Sequence, residues 1–437
     1  MHGQNISVRS HSDDRFYAEH EFVAKTARQY FGVGEEVLAQ QRTNLIAHWR
    51  ETRPTYTQEA FDACYSLPRI MAFAPQRAPN LLMASYAFCA GGGETFPIQL
   101  ANIMKARGYN VTYLDCAREA RNEGIRQNLR IDIPVVSDFT QLERIVADFG
   151  IDLIHSHHAW VDSTVLDLLP EGSPAKTVVT LHGMYETINE FDLRSILPRL
   201  VKRSARLIYV ADKNVSSLRN ANLQQHAKLV RIDNALEPSE FEPVDRGSLG
   251  IADDAFVLTL VSRAMPDKGW AEAIAAVTRA REMSGADIHL LLVGDGAESE
   301  RLRREELAPF IHLQGFQRNV RGYFALADLG FLPSKFRGES FPLVIIECLQ
   351  SGRPVLASNL GEIAYMLEGP DGLAGELTEL EGESLNLEQL ARSIASLATD
   401  PVRYQSRLSA VPAAARKFDP DILAAKHDIA YREAMAE

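Results

Sequence analysis

The sequence predicts an α/β protein with two successive Rossmann-like domains that face each other across a cleft. Three observations support this prediction. Short apolar segments alternate with amphipathic helical segments from residue 80 onward, which is typical of a parallel sheet wound with helices. The alternation occurs twice, and residues 233–248, rich in Glu, Pro and Asp, separate the two series. The chain also has 437 residues, more than one hydrophobic core usually holds.

Residues 1–78 differ from the rest of the chain and are predicted to form a helical N-terminal extension. Helical patterns occupy residues 19–30 and 35–49, and a further apolar stretch spans 61–73. This part has neither a glycine-rich loop nor the alternation of a strand. We therefore treat it as separate from the two α/β domains.

The first α/β domain is predicted over residues 79–235. It begins with a strand at 81–86, which leads through three glycines into a helix at 94–107. Further apolar runs with turn residues on either side predict four more strands, at 111–114, 151–155, 177–181 and 206–210. Each pair of strands is separated by a helical segment, as a parallel sheet requires.

The second α/β domain is predicted over residues 236–416, followed by a separate C-terminal helix at 417–437. Its strands are predicted at 256–261, 288–293, 311–313, 329–332 and 354–357. Its helices are predicted at 270–283, 299–307, 320–327 and 342–350, with two or three more helices over 387–435.

Composition and charge exclude several classes of protein. The chain has 46 basic and 58 acidic residues, a net charge of −12, whereas nucleic-acid binding proteins present a basic face. The four cysteines are widely spaced (Cys64, Cys89, Cys116 and Cys348), which favours reduced thiols over a disulfide framework or a zinc site. No segment approaches the roughly 20 apolar residues of a membrane span. We therefore expect a cytoplasmic protein.

Two glutamates, Glu339 and Glu347, lie eight residues apart around the Ser-Phe-Pro step at 340–342. Because proline favours the first position of a helix, we expect a helix over 342–350. The free N–H groups at a helix N-terminus bind anions. With a carboxylate on either side, this segment suits a diphosphate flanked by hydroxyl groups, which is the chemistry of a nucleotide sugar. A surface helix with acidic residues near its N-terminus is the alternative.

This segment resembles the E-x7-E signature of retaining glycosyltransferases of family four (glycosyl transferases group 1), and the resemblance extends over about residues 80–416. It implies the GT-B fold, in which a C-terminal helix, here 417–437, packs back on the first domain. It also implies that Glu347 holds ribose hydroxyls and that Glu339 holds hydroxyls of the donor sugar. The residues between the two glutamates are expected to line the donor site: Ser340, Phe341, Pro342 and Leu343.

Arg263 and Lys268 lie in the loop at 261–269, which follows the first strand of the second domain. A loop that leaves the carboxyl end of a parallel strand points into the ligand crevice, and an Arg and a Lys at this spacing can reach one anion from two sides. The family uses matching positions to hold the donor diphosphate. Two solvated surface cations are the alternative.

The loop at 91–94 resembles the family's Gly-Gly-x-Glu loop. Glycines let the backbone approach a ligand closely, so Gly92, and less directly Gly93, are predicted to contact the donor, while the loop's glutamate is interpreted as a helix cap. Gly294 and Phe316, in two turns of the second domain, match segments that line the nucleotide base pocket in the family. Simple turn geometry is the alternative for these glycines.

Two histidines follow strands of the first domain. The family often has a His at the position of His182, so His182 is predicted to orient a sugar hydroxyl or to stabilise the reacting centre. His157 is predicted to face the acceptor. A structural role is the alternative for a lone histidine. Because His155, His157 and His158 lack a partner cluster with metal-ligand spacing, and no Asp-x-Asp motif follows an apolar strand, no metal site is predicted.

A basic stretch near the end of the first domain offers a contact with an anionic membrane. Its five basic residues alternate with apolar ones and have no acidic residue among them: Arg194, Arg199, Lys202, Arg203 and Arg206. Such a helix can lie on the inner face of a membrane, close to a lipid-linked acceptor. A solvated helix face is the alternative, and the one we favour.

The resemblance implies a retaining glycosyltransferase that moves a sugar from a nucleoside diphosphate sugar to a hydroxyl of a glycan, polysaccharide or lipid-linked acceptor. The implied course is a front-face displacement without a metal or other cofactor, and by analogy the product would serve bacterial polysaccharide biosynthesis. Two alternatives stay open: another GT-B enzyme, such as a sugar-nucleotide epimerase or a phosphorylase, and a non-catalytic relative that binds a nucleotide sugar. The sequence does not specify the sugar, the base, the acceptor or the role of the extension.

Overall fold

The computed structural model describes most of the chain beyond the N-terminal extension. Described are residues 78–437, apart from Ala90, 118–122, Gln225, Ser239 and Asp371, together with Glu36, Ala39 and Gln40. The last three are helical. The rest of the helical extension predicted over 1–78 lies outside the described residues, residue 78 excepted.

Seven strands of the described chain form the first sheet. They are β1 (Asn80–Ser85), β2 (Asn110–Asp115), β3 (Val135–Val136), β4 (Leu153–Ser156), β5 (Lys176–Leu181), β6 (Arg206–Tyr209) and β7 (Leu229–Arg231). All pair in parallel, in the order β3-β2-β1-β4-β5-β6-β7. Alternate residues of β1 belong to two different apolar clusters, so both faces of the sheet are covered, as in other parallel sheets.

Helices connect these strands. They are α1 (Gly92–Ala106), α2 (Glu123–Arg126), α3 (Leu142–Phe149), α4 (Ala159–Leu168), α5 (Glu190–Arg203) and α6 (Ser216–Asn220). The strand order reverses between β1 and β4. A reversal of this kind opens a crevice at the carboxyl ends of the strands, where the chain leaves β1 towards α1 and β4 towards α4.

The second domain repeats this plan with six parallel strands among the described residues. Its strands are β8 (Phe256–Val261), β9 (Ile288–Val293), β10 (Ile311–Gly315), β11 (Leu329–Leu332), β12 (Val355–Ser358), the hairpin pair β13 (Glu368–Gly369) and β14 (Gly372–Leu373), β15 (Gly375–Thr378), and the hairpin pair β16 (Leu380–Glu381) and β17 (Ser384–Leu385). The large sheet has the order β10-β9-β8-β11-β12-β15.

Helices also connect the strands of the second sheet and form the C-terminal part of the chain. They are α7 (Trp270–Ser284), α8 (Ala297–Leu302), α9 (Val320–Leu326), α10 (Leu343–Gln350), α11 (Ile363–Leu367), α12 (Leu387–Thr399), α13 (Pro401–Ala415) and α14 (Pro420–Ala436). The predicted fold class, an α/β protein with two Rossmann-like domains, is confirmed. Strands β3, β7 and β15 were not predicted. Two or three residues, as in β3 and β7, are too few to show a periodicity, and β15 has a single apolar residue, Leu377.

The C-terminal helix α14 crosses back to the first domain and packs against β5 and α1. Its polar residues are anchored there: the Tyr109 hydroxyl donates to Asp428 at 2.6 Å, and Arg206 pairs with Glu433 at 3.3 Å. Tyr431, fully buried, donates or accepts a hydrogen bond of 2.6 Å with His155 at the end of β4. The last helix therefore contributes to the floor beneath the first domain's crevice.

Polar contacts join the two domains beside the crevice. Asn214 donates to the Ser340 hydroxyl at 3.0 Å, and Lys213 donates to the carbonyl of Arg337 at 2.8 Å. On the same side, the Arg231 guanidinium lies 2.8 Å from a carboxylate oxygen of Glu362. These contacts hold the carboxyl ends of the two sheets face to face.

Two loops of the second domain approach each other closely at Gly269, and a substitution there tests this contact. Gly269 has a φ of 75°, and a Cβ there would lie 1.9 Å from the Pro333 carbonyl oxygen. Gly352 has a φ of 78° with no heavy atom within 4 Å of the same position. We expect Gly269→Ala to lower the free energy of unfolding by about 3 kcal/mol and Gly352→Ala by about 1 kcal/mol. Urea unfolding of both variants measures this difference, and equal losses would contradict the close approach.

Candidate active site

A cavity of about 790 Å³ lies between the two domains. The carboxyl ends of strands from both sheets open into it, since loops that follow β1, β4, β5, β8, β9, β10 and β11 line its wall. All the site residues predicted from the sequence lie on this wall: Gly92, Gly93, His157, His182, Arg263, Lys268, Gly294, Phe316, Glu339, Ser340, Phe341, Pro342, Leu343 and Glu347. The fold therefore brings together residues that are as far as 255 positions apart in the sequence (347 − 92).

Lys268 and Glu339 form an ion pair on the second-domain side of the cavity. Their charged atoms lie 2.7 Å apart, and each side chain is 11% exposed. The Ser334 hydroxyl donates to the same carboxylate oxygen at 2.9 Å, and the Lys268 ammonium lies 4.3 Å from the centre of the Phe336 ring. Both groups are thus held in one arrangement by contacts within the protein.

Helix α10 directs its N-terminus at the cavity, because Pro342, Leu343 and Val344 all line it. The helix begins at Leu343 with Pro342 as its N-cap, one residue later than the sequence predicted. The first N–H groups of a helix have no partner inside it, so this end suits an anion. A Cβ on Gly92 would lie 3.9 Å from Leu343, so the glycine loop of the first domain comes into contact range of this helix.

Glu347 lies in the second turn of α10 and is partly buried. Burial raises the pKa of this carboxyl to about 7, and the nearby Arg321 guanidinium only partly lowers it. Arg321 donates to the Gln350 carbonyl at 3.1 Å and packs on the Phe241 ring. A carboxyl with this pKa is ready to accept hydrogen bonds from hydroxyl groups without carrying a full charge at neutral pH.

Arg263 is exposed at the edge of the cavity and faces Glu94 of the first domain. Burial raises the pKa of Glu94, and the charge of Arg263 partly offsets this effect. Glu94 is the third residue of α1 and folds back over Gly91, where a Cβ would lie 2.2 Å from its carboxylate. It also lines the cavity.

Gly294 and Phe316 line the end of the cavity formed by β9 and β10. Gly294 has a φ of 139°, and a Cβ there would lie 1.9 Å from the Ser262 carbonyl oxygen. Only glycine allows the loops after β8 and β9 to come this close. The backbone N–H of Phe316 donates to Asp295 at 3.0 Å, and 42% of its side chain is exposed, so an aromatic face is available to a planar ligand.

His182 and His157 meet on the first-domain side. His182 is half-buried, and burial lowers its pKa to about 3. Its Nε2 atom lies 3.1 Å from Nδ1 of His157, which is only 2% exposed. The predicted acceptor-side residue His157 therefore touches the cavity mainly through His182.

Three residues that hold the site together were not predicted from the sequence: Ser334, Phe336 and Gly183. Ser334 and Phe336 fix the Lys268–Glu339 pair, and neither fits a periodic pattern. Gly183 has a φ of 102°, and a Cβ there would lie 2.4 Å from the Ser340 hydroxyl across the domain boundary. Its place directly after His182 was the available signal. Within the described residues, no group of three or more potential metal ligands is found.

The basic stretch has partners inside the protein. Arg199 binds Asp167, Lys202 lies 3.5 Å from Glu171, Arg203 donates to carbonyls at the end of α4, and Arg206 binds Glu433 and Glu437. Arg194 is exposed. Arg206 lies on β6 and is only 8% exposed, so it does not belong to the helix that carries the other four residues. No described helix is both long enough and apolar enough to span a membrane.

Two family models match this chain. One, Glycosyltransferase Family 4, matches residues 90–240, and the other, Glycosyl transferases group 1, matches residues 255–400. D-inositol 3-phosphate glycosyltransferase of Actinosynnema mirum is 25% identical over 66% of this chain and 80% of its own length. Phosphatidyl-myo-inositol mannosyltransferase of Mycobacterium tuberculosis is 24% identical over 79% of this chain and 94% of its own.

Solved structures share the two-domain arrangement. Anabaena HepE in complex with UDP-glucose has a TM-score of 0.67 at 20% identity, covering 80% of this chain and 98% of HepE. Sucrose-phosphate synthase from Thermosynechococcus elongatus has a TM-score of 0.63 at 18% identity, covering 82% of this chain and all of that chain. At these identities the likeness shows a common fold.

The pKa of Glu347 predicts a pH-dependent stability. In the unfolded chain this carboxyl ionises near its ordinary pKa of 4.5, and in the folded protein near 7. Folding therefore disfavours the ionised form, and the cost to stability grows as the pH rises from 4.5 to 7. We expect Glu347→Gln to raise the free energy of unfolding by about 3 kcal/mol at about pH 8 and to have little effect at about pH 4.5.

Urea unfolding at the two pH values measures this effect. Glu171→Gln changes a glutamate whose side chain is 77% exposed and serves as the control, with little effect at either pH. A stabilisation by Glu347→Gln of the same size at both pH values would show that burial of the charge is not its cause.

Proposed function

This chain belongs to glycosyltransferase family four, and on that basis we propose that it transfers a sugar from a nucleoside diphosphate sugar to a hydroxyl acceptor with retention of the anomeric configuration. The family membership makes it a glycosyltransferase of the GT-B type that uses nucleotide sugars. Retention, the acceptor and the role of each residue are the parts that we propose.

The observation that carries the proposal is the arrangement of charge on the second-domain wall. Arg263, Lys268 and the N-terminus of α10 line one side of the cavity, and Glu347 lies within the same helix. Two cations and a helix N-terminus suit a diphosphate, and a carboxyl beyond them suits the hydroxyls of a ribose. The relative HepE has been solved with UDP-glucose, which supports a donor of this kind.

In the proposed reaction, the bond between the anomeric carbon and the leaving phosphate oxygen breaks, and its electron pair stays on the diphosphate. The acceptor oxygen forms the new bond on the same face of the sugar, and its proton passes to the leaving phosphate oxygen. Arg263, Lys268 and α10 stabilise the charge that develops on the diphosphate. This course does not need a side-chain nucleophile, and Glu339 is engaged by Lys268 and Ser334.

We propose roles for the other site residues from their positions in the cavity. Glu339 would hold hydroxyls of the donor sugar, with Lys268 shared between its carboxylate and the diphosphate. Gly92 lies opposite Leu343 and would let the first domain's backbone approach the donor. His182 would bind a substrate hydroxyl. In this proposal the charge on the leaving group is neutralised by protein groups, so transfer does not require a divalent cation.

The proposed acceptor is a glycan, a polysaccharide or a lipid-linked sugar. Names of relatives support this range, since one is a phosphatidyl-myo-inositol mannosyltransferase and another a lipopolysaccharide 1,2-N-acetylglucosaminetransferase. A lipid-linked acceptor would bring α5 to the cytoplasmic face of a membrane. Phe191, 85% exposed, and the exposed Arg194 would then make the contact.

Lys268→Ala tests the assignment of the diphosphate site. Removing the ammonium takes away one stabilising charge, so we expect kcat/KM for the donor to fall by about 100-fold or more. Lys335→Ala is the control, because Lys335 lies in the same region, pairs with Glu272 and does not line the cavity. It is expected to transfer sugar at nearly the wild-type rate. Equal activity of the two variants would contradict the role of Lys268.

A second test determines both the anomeric configuration of the product and whether transfer requires a metal ion. The protein is incubated with a panel of uridine and guanosine diphosphate sugars and sugar acceptors in the presence of EDTA, and the product is examined by NMR. We expect transfer to continue and the first-formed product to keep the donor's anomeric configuration. Loss of activity that Mg²⁺ or Mn²⁺ restores would contradict the metal-free course, and an inverted product would contradict the front-face displacement.

A further inference from the structure

A chain of hydrogen bonds connects the cavity wall with the core of the first domain. His182 lines the cavity, and its Nε2 atom lies 3.1 Å from Nδ1 of His157. The other nitrogen of His157, Nε2, lies 3.0 Å from the sulfur of Met83. Met83 is on β1 and is fully buried. The chain thus runs from a buried thioether through one imidazole to a second imidazole at the site.

The sulfur fixes the direction of these hydrogen bonds. A thioether carries no proton and can only accept, so Nε2 of His157 must be the donor to Met83. Burial lowers the pKa of His157 well below its usual range, so the ring is neutral and has a single N–H. Its Nδ1 atom therefore has no proton and must accept a hydrogen bond from His182.

The same reasoning fixes the proton on His182. Its Nε2 atom must donate to His157, and because burial lowers its pKa to about 3, this ring is also neutral at pH 7. The single proton is thus on Nε2, and Nδ1 keeps a free lone pair. Among the described residues, Nδ1 of His182 has no hydrogen-bond partner, while the ring lines the cavity.

We propose that Met83, acting through His157, holds His182 in the tautomer whose Nδ1 is a hydrogen-bond acceptor for a substrate hydroxyl in the cavity. Met83 and His157 are positioning residues, since only His182 would touch the substrate. Only one part of this proposal rests on the proposed function, namely that the group that binds Nδ1 is a substrate hydroxyl. The opposite tautomer would present an N–H to the cavity and would reverse the direction of the hydrogen bond.

The packing around His157 holds the plane of its ring, while the hydrogen bonds to His182 and Met83 determine which edge of the ring carries the nitrogens. The ring of His155 lies 4.0 Å from that of His157. His155 is itself held at both nitrogens, by Thr180 at 2.7 Å and by Tyr431 at 2.6 Å. Phe96 packs edge-on against His157 and His182, with ring centres 6.0 and 5.5 Å away. The neighbouring rings therefore hold the plane of His157, and the Met83 sulfur, which can only accept, selects its orientation and through it the tautomer of His182.

The test is to observe the tautomer directly. The full-length protein is labelled with ¹⁵N-histidine, and long-range ¹H–¹⁵N correlation spectra distinguish a protonated ring nitrogen from a bare one. His182→Asn identifies the His182 signals by their disappearance. We expect His182 in the wild type to be a single tautomer with its proton on Nε2. A proton on Nδ1, or a mixture of the two tautomers, would overturn the proposal.

Met83→Leu removes the sulfur while nearly conserving the volume, a change that cores tolerate well. We expect His182 in this variant to populate both tautomers, and kcat/KM to fall by about fivefold to tenfold, the size of one net hydrogen bond. Met104→Leu is the matched control, because Met104 is equally buried in the same apolar cluster. A single Nε2–H tautomer retained in Met83→Leu would show that Met83 does not select it.

His157 variants give a second measurement. The side-chain oxygen of Asn occupies nearly the place of Nδ1 and can still accept from His182, so His157→Asn is expected to keep the His182 tautomer and more activity than His157→Leu. Equal activity and equal tautomer populations in the two variants would overturn the proposal. The spectra need no substrate. If the wild type transfers no sugar, the proposed function fails while the tautomer is still decided.

Discussion

The ion pair between Lys268 and Glu339 is the interaction on which the site depends. The two residues come from the loops after β8 and β11, which are neighbouring strands, so the pair joins the carboxyl ends of the second sheet at its centre. Removing one partner of a buried pair leaves an uncompensated charge, which costs several kcal/mol. The loop between Ser334 and Glu339 is therefore held firmly, and it leads directly into Ser340 and the N-terminus of α10. The anion site and the contact with the first domain both follow from this one loop.

The same segment explains why the two domains approach so closely. Ser340 accepts a hydrogen bond from Asn214, and there is room for this only because Gly183 has no side chain. His182, the neighbour of Gly183, is thereby brought to the cavity opposite the Lys268–Glu339 pair. Burial in this closed arrangement moves the pKa of Glu347 up and that of His182 down. Such groups cost stability and are concentrated at functional sites, as they are here.

Much of this arrangement could be predicted from the sequence. The two series of apolar segments predicted both sheets, and because loops after parallel strands share one edge, the positions of Arg263, Lys268 and His182 placed them in one cleft. The short strands β3, β7 and β15 gave no periodic signal. The contact between His157 and His182 joins two strand ends 25 positions apart, and their link to Met83 depends on side-chain packing that one sequence does not contain. The supporting roles of Ser334, Phe336 and Gly183 were missed for the same reason.

In the proposed function, the second-domain wall binds a nucleoside diphosphate through charged groups of the protein. Calorimetric titration of the wild-type protein with UDP, GDP and ADP in the presence of EDTA tests it most directly. We expect one of the three nucleotides to bind selectively and Arg263→Ala to weaken its binding. Absence of binding by all three, or equal binding by wild type and Arg263→Ala, would contradict the assignment of the site.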